Sequence, residues 1–86
     1  MNNNNKVLIK LTIPDLDSSY DVFIPINRKI GNVIELLNKS LNELTKGIYE
    51  GTRQQNLYNK YTGTRYNNNL LVIETDIRNG THIILI

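Results

Sequence analysis

Cysteine is absent from the 86 residues of this chain, and so is tryptophan. Without cysteine the protein can form no disulfide, no thiolate metal site and no thiol nucleophile. A secreted domain of this size usually depends on disulfides, so their absence favours a reducing cytosol. Long apolar runs are missing as well, because no stretch approaches the roughly 18 consecutive apolar residues that cross a bilayer. The sequence therefore predicts a cytoplasmic protein that does not insert directly into a membrane.

Positive charge is scattered rather than concentrated. Ten Lys and Arg residues stand against eight Asp and Glu residues, which gives a net charge of +2. The basic residues form no run and no obvious stripe, whereas a protein that binds nucleic acid normally gathers them on one face. The length corresponds to one domain. Composition thus favours a single globular domain whose partner is not nucleic acid.

Apolar and polar residues alternate in two stretches near the start of the chain, and each stretch predicts a strand. The apolar face of each strand comprises the following residues: Val7, Ile9, Leu11 and Ile13 in the first, and Tyr20, Val22, Ile24 and Ile26 in the second. The segment "PDLDSS" between them is rich in turn-forming residues, so the two strands should form a hairpin. We expect residues 1–5, with their run of Asn, to be a disordered terminus, and residues 6–86 to form the domain.

A helical period follows the hairpin and is the strongest periodic signal in the chain. Its apolar stripe comprises Ile30, Val33, Ile34, Leu37, Leu41 and Leu44. Asn27 is the expected N-cap. Gly47 is the expected left-handed residue at which the helix stops. These residues predict one amphipathic helix packed on the hairpin.

The second half of the chain predicts shorter elements. "NLYNKYTGTRY" indicates a short strand, a turn near Gly63 and a second short strand, with Tyr66 packed inward. "NNNLLVIETDI" is expected to be a connector with apolar anchors. "RNGT" has the Asn-Gly signature of a tight turn. The nearly continuous apolar run "HIILI" fits a central strand that is covered on at least one face.

This order of elements predicts an α+β domain in which one helix packs on a mixed sheet of four or five strands. The first and last strands are the most apolar, so they should lie side by side in the centre of the sheet. Because no two-residue hairpin joins them, they can run parallel. Such an arrangement is the β-grasp.

The pattern resembles ubiquitin from Lys6 to Ile86. The segments "DVFIPINRKIGNVIELL", "NLYNKYTG" and "TDIRNGTHIILI" are more similar to the EsaB/YukD family, small ubiquitin-like proteins associated with type VII (ESX/WXG100) secretion in Gram-positive bacteria. The resemblance implies a non-enzymatic adaptor or regulatory component without a cofactor or small-molecule substrate. It would act in the cytoplasm through protein–protein contacts, and a membrane-anchored component of the secretion apparatus is the implied partner.

The end of the sequence bears on a different function of ubiquitin-like proteins. Ubiquitin and the sulfur carriers of the same fold react through a flexible Gly-Gly tail, but no Gly follows Gly80 here and the sequence ends at Ile86. We therefore expect no conjugation through the C-terminus. Two alternatives stay open: a ubiquitin-like modifier or sulfur carrier, if the native chain carries a Gly-Gly tail, and a weak nucleic-acid-binding module.

No group of residues predicts catalysis or metal binding. His82 is the only histidine and has no marked nucleophile near it, so we expect a strand residue on the solvent-facing side. Asp15, Asp17 and Asp21 are expected to belong to a solvated hairpin turn, because no EF-hand spacing follows them. The chain also lacks a phosphate-binding glycine motif.

Aromatic residues give two further candidates. Basic residues alternate with tyrosines at Tyr58–Tyr66, as in stacking platforms for single-stranded nucleic acid. With Tyr66 packed inward, however, too few rings stay exposed for such a platform. A protein-binding surface is favoured instead. If Ile83 and Leu85 face the helix, then Tyr58, His82 and Ile84 share the open side of the sheet and can anchor a partner.

Overall fold

The computed structural model describes residues 5–52 and 54–86. Residues 1–4 of the expected disordered terminus lie outside the described residues. The fifth residue of that terminus is paired, because the Asn5 carbonyl accepts a hydrogen bond from the Ile26 amide at 3.0 Å. The strands and helix are β1 (Lys6–Ile13), β2 (Ser18–Pro25), α1 (Ile30–Leu44), β3 (Leu57–Asn59) and β4 (His82–Leu85). Short 3-10 turns occupy Pro14–Leu16 and Val72–Glu74. None of the helices in this part of the chain has the length and apolar character needed to cross a bilayer.

The four strands form one mixed sheet in the order β2-β1-β4-β3. β1 and β4 run parallel at its centre, and the two outer pairs are antiparallel. This is the predicted β-grasp. The expected second short strand after Gly63 is reduced to a single bridge between Tyr58 and Arg65, so the sheet has four strands and not five.

One face of the sheet and α1 enclose the core. The inward side of β1 and the predicted helix stripe are buried as expected as far as Leu41. The prediction was wrong for Leu44, which is 61% exposed at the end of the helix. Tyr49 is buried instead, since the chain turns back there: the Tyr49 amide donates to Thr45 Oγ1 at 2.9 Å, and Asn42 Nδ2 donates to the Tyr49 carbonyl at 2.8 Å.

The start of α1 also differs from the prediction. The helix begins at Ile30, after Lys29, and Asn27 does not cap it. Its first amides are satisfied from another part of the chain, because Ile30 N–H donates to the Leu70 carbonyl at 2.8 Å and Gly31 N–H to the Asn68 carbonyl at 3.0 Å. Backbone carbonyls of the Asn-rich loop therefore replace the side-chain cap that a helix start otherwise favours.

Candidate functional site

The sheet face opposite α1 has no helix over it within residues 5–52 and 54–86. Strand alternation directs every second side chain to this face. We call it the open face, and its side chains are Leu8, Lys10, Thr12, Asp21, Phe23, Tyr58, His82 and Ile84. It is the part of the fold at which a partner could contact the sheet directly.

The structure brings the three predicted site residues together. Tyr58 lies directly opposite Ile84 in the antiparallel β3–β4 pair, while Ile84 lies opposite Thr12 in the parallel pair. His82 precedes Ile84 on the same side of β4 and pairs with Lys10. All three side chains are half-buried, whereas Ile83 and Leu85 are buried on the helix side as predicted. Tyr58, His82 and Ile84 thus form a continuous aromatic and aliphatic surface across β3 and β4.

His82 is more enclosed than its expected solvent-facing position implied. The ring of Tyr61 lies across it, with ring centroids 5.1 Å apart and planes tilted by 50°. Its Nδ1 atom is buried and has no hydrogen-bond partner in the part of the chain described. His82 therefore belongs to the aromatic surface and is not a freely solvated side chain.

The three aspartates of the hairpin lie at exposed positions. Asp17 adopts a left-handed conformation with φ of 48° after the short turn Pro14–Leu16. Among the described residues, no three His, Cys, Asp or Glu side chains are grouped so that they could hold a metal ion. Asp15 and Asp17 thus lie in a solvated turn as predicted, whereas Asp21 lies in β2 opposite Lys10 and does not belong to the turn.

Tyr66 is buried, as the sequence predicted, and this removes one ring from the tyrosine cluster. Its hydroxyl donates to Asp76 Oδ1 at 2.8 Å and accepts from Asn59 Nδ2 at 3.1 Å. Burial raises the pKa of Tyr66 to about 12; the Asn59 hydrogen bond lowers that pKa, and the hydrogen bond to Asp76 and its negative charge raise it. Tyr66 acts as a support for the Leu57–Asn59 strand and not as a stacking surface.

Sequence reasoning missed an apolar pair at the other end of the open face. Phe23 is 58% exposed and lies opposite Leu8, which is 37% exposed. A shallow depression runs between this pair, Lys10 and His82. The signal was present in the sequence, because "VLI" and "VFI" interrupt the alternation with an apolar residue on the side that should be polar.

Neither a protein-family model nor a curated protein sequence matches the chain. Solved structures do match it. The EccD5 ubiquitin-like domain from Mycobacterium xenopi is 17% identical with a TM-score of 0.73, over 93% of this chain and 91% of that one. A ubiquitin-like domain from Arabidopsis thaliana is 12% identical with a TM-score of 0.70, over 100% and 81%.

A chain of the MycP5-free ESX-5 inner membrane complex is similar as well. It is 16% identical with a TM-score of 0.67, and the match covers 94% of this chain but 20% of that longer one. At these identities the likeness concerns the fold. With one helix on a mixed four-stranded sheet and these neighbours, the chain has the ubiquitin-like β-grasp fold.

Proposed function

We propose that this protein is a non-enzymatic ubiquitin-like adaptor or regulatory component of a type VII secretion system, of the EsaB/YukD kind. It acts in the cytoplasm by docking Tyr58, His82 and Ile84 onto a protein partner. The observation that carries the proposal is the alignment of Tyr58 with Ile84 on the sheet face that α1 leaves uncovered. Aromatic and aliphatic side chains clustered in this way anchor many protein interfaces.

Two observations support the secretion setting. The segments quoted above resemble the EsaB/YukD family, and the similar structures include both the EccD5 ubiquitin-like domain and a chain of an ESX-5 inner membrane complex. In the latter, a domain of this fold occupies a fifth of a chain in a membrane complex. A membrane-anchored component of the secretion apparatus is therefore the partner we propose.

The experiment is affinity capture from native cells with the tag at the N-terminus. Wild type is compared with a Tyr58→Asp/Ile84→Asp variant, which places two charges within the proposed interface. The matched control is Leu44→Asp/Ile48→Asp, since both leucine and isoleucine are exposed there and lie at the end of α1 and just beyond it. Circular dichroism establishes that each variant is folded.

The proposal predicts that secretion components co-purify with wild type and with the control but not with the Tyr58/Ile84 variant. If they persist with that variant, the adaptor function stands and the proposed surface is wrong. If only nucleic acid is recovered, and its binding falls steeply with salt, the nucleic-acid-binding alternative replaces the adaptor.

The modifier alternative has its own test. The Ile86 amide and carbonyl both pair with Asn56, at 3.1 and 2.8 Å, so a Gly-Gly extension would emerge directly from this paired residue. The intact mass of the protein from native cells shows whether the native chain carries a Gly-Gly extension, as the modifier alternative requires. A Gly-Gly extension together with an adduct to an activating enzyme would overturn the adaptor proposal.

A further inference from the structure

Asn79 and Gly80 are the one place in the sequence where a glycine follows an asparagine. In such a pair the amide nitrogen of the glycine can attack the side-chain carbonyl carbon of the asparagine, because glycine has no Cβ to hinder the approach. The product is a five-membered succinimide ring, and its formation releases ammonia. The pair lies directly before β4, so the fold determines whether the two reacting groups can meet.

Two hydrogen bonds from one residue of β1 hold both reacting groups. Leu8 N–H donates to Asn79 Oδ1 at 2.8 Å, and Gly80 N–H donates to the Leu8 carbonyl at 2.8 Å. We call these two bonds the Leu8 clamp. The Gly80 nitrogen must lose its proton to attack, and in the closed clamp that proton is bonded to the Leu8 carbonyl. The closed clamp therefore withholds the nucleophile.

The backbone of the turn also opposes ring closure. Thr81 N–H donates to the Arg78 carbonyl at 3.1 Å, and Gly80 has a φ of 88° whereas Asn79 has a negative φ. These features define a type II turn, in which ψ of the second residue, here Asn79, is about +120°. Ring closure needs a different ψ, one that brings the Gly80 nitrogen to the side of the Asn79 Cβ atom. The turn must therefore open before the ring can form.

Further contacts join this turn to the sheet. Arg78 N–H donates to Thr81 Oγ1 at 2.9 Å, and Lys10 N–H donates to the Thr81 carbonyl at 3.0 Å. The parallel pairing of β1 with β4 continues from there, with Lys10 opposite His82. The Leu8 clamp is thus continuous with the β1–β4 pairing, and the local stability of this part of the sheet sets how often the clamp opens.

We propose that Asn79 is a site of spontaneous deamidation, which the fold suppresses and which reacts from the state in which the Leu8 clamp is open. The bond from Gly80 N to Asn79 Cγ forms, the bond from Cγ to the side-chain nitrogen breaks, and ammonia carries away the Gly80 proton. Water then opens the ring. Its addition at Cγ gives aspartate with a normal backbone. Its addition at the backbone carbonyl carbon gives isoaspartate, in which the main chain passes through Cβ and Cγ.

The two products differ in whether the clamp can close again. Aspartate keeps a side-chain oxygen for Leu8 N–H, and a charged acceptor makes the stronger hydrogen bond. Isoaspartate lengthens the main chain by one atom and carries its carboxylate on the α carbon. The spacing between that carboxylate and Gly80 N–H then no longer matches the two groups of Leu8.

The isoaspartate product affects β4, which begins two residues after Gly80 and carries His82 and Ile84. Loss of the clamp removes the contacts that lead into the β1–β4 pairing. Deamidation thus converts a transient opening of the sheet into a permanent change at the start of β4. This chemistry is independent of the partner proposed above.

The test compares the full chain with the synthetic peptide IRNGTHI, which contains the same pair without the fold. Peptide mapping by mass spectrometry follows aspartate and isoaspartate at position 79 over time in the same buffer. The folded chain should deamidate at least about a hundredfold more slowly than the peptide, as an opening populated about 1% of the time or less requires. In urea above the unfolding midpoint, chain and peptide should react at the same rate.

The asparagines at residues 67–69 are an internal control in every sample. Each is followed by Asn or Leu, whose Cβ hinders the attack that glycine permits. In urea they should therefore react much more slowly than Asn79.

Amide hydrogen exchange gives a second readout of the same opening. Exchange and deamidation both require Gly80 N–H to leave the Leu8 carbonyl. The factor by which the fold slows exchange of the Gly80 amide should therefore agree within about tenfold with the factor by which it slows deamidation.

The products are compared after the isoaspartate form has been separated and refolded. Its Leu8 and Gly80 amides should exchange about tenfold or more faster than those of the unmodified chain. The Asn79→Asp variant is the matched control, since it has the composition of both products but a normal backbone. It should keep both amides protected.

Three results would overturn the proposal. The first is that the folded chain and the peptide deamidate at the same rate, so that the clamp gives no protection. The second is that position 79 reacts no faster than residues 67–69 in urea. The third is that the isoaspartate form keeps its Leu8 and Gly80 amides as protected as those of the Asn79→Asp variant.

Discussion

Tyr66 joins two parts of the chain through one side chain. Its ring is buried in the core, and its hydroxyl connects Asn59 at the end of β3 with Asp76 in the connector before β4. A buried hydroxyl must find partners, since an unpaired one is costly. Here one partner lies at the end of β3 and the other in the connector, so Tyr66 helps to fix the position of β3.

Tyr66→Phe should lower the free energy of unfolding by about 1 kcal/mol, the usual net value of such a hydrogen bond. The pH dependence gives a sharper test. The pKa of Tyr66 is raised from 10.0 to about 12, so the folded state keeps its proton longer than the unfolded state. The stabilisation that the protonated Tyr66 hydroxyl gives the folded state is complete below pH 10 and is lost as the pH rises toward 12. Urea unfolding of both proteins should therefore show their difference shrinking across that interval; a constant difference would contradict the assignment.

Gly51 lies against the side chain of Asn38. A Cβ added at Gly51 would overlap the Asn38 amide group, which accepts a hydrogen bond from the Tyr49 hydroxyl at 3.2 Å. Gly51→Ala must displace that amide and should lower the free energy of unfolding by about 1–2 kcal/mol. Gly31→Ala is the matched control, because its nearest neighbour, the Asn68 carbonyl oxygen, would be at 3.4 Å. The control should be neutral or stabilising, and equal losses in both variants would contradict this packing.

At the scale of elements, α1 packs on the sheet through a single apolar face. Leu37 is buried and Leu36, its neighbour, is 44% exposed. Leu37→Asp buries an unpaired charge and should cost more than about 3 kcal/mol, enough to unfold a domain of this size. Leu36→Asp makes the same chemical change outside the core and should keep the far-ultraviolet circular dichroism spectrum and most of the stability. A folded Leu37→Asp protein would contradict the assignment of the core face.

The regular elements could be predicted from local pattern alone. Alternation identified β1 and β2, and the helical period identified α1 up to Leu41, because in each case one face of the element packs toward the core. The errors at the two ends of α1 have a tertiary origin. The loop carbonyls of Asn68 and Leu70 cap its start, and Tyr49 folds back beside its last turns while Leu44 stays exposed. Neither contact can be inferred from the sequence of the helix itself.

The candidate surface could be predicted only in part. The alternation of β4 placed His82 and Ile84 on one face, and the inward position of Leu57 placed Tyr58 beside them. Phe23 and Leu8 were not predicted, because strand alternation identifies the buried face and does not indicate a function for apolar residues on the other face. The contact between Tyr61 and His82 joins residues that are far apart in the sequence, and no local pattern indicates it.

At the scale of the whole molecule, the helix leaves one side of the sheet free for two adjacent surfaces. Tyr58, His82 and Ile84 occupy the β3–β4 side of the open face, while Phe23 and the free edge of β2 occupy the other side. β1 lies between them and presents Lys10 and Thr12. The two surfaces can therefore be varied separately, since they lie on different strand pairs.

If the surface of Tyr58, His82 and Ile84 contacts a component of the secretion apparatus inside the cell, a crosslinker at that surface should capture the component. The most direct measurement replaces Tyr58 with the photoreactive amino acid p-benzoylphenylalanine, irradiates living native cells and identifies the adducts by mass spectrometry. Ile48, which is 82% exposed just beyond α1, receives the same replacement as a control. We expect an adduct with a membrane-anchored secretion component from position 58 and none from position 48. No adduct from position 58, or the same adduct from both positions, would contradict it.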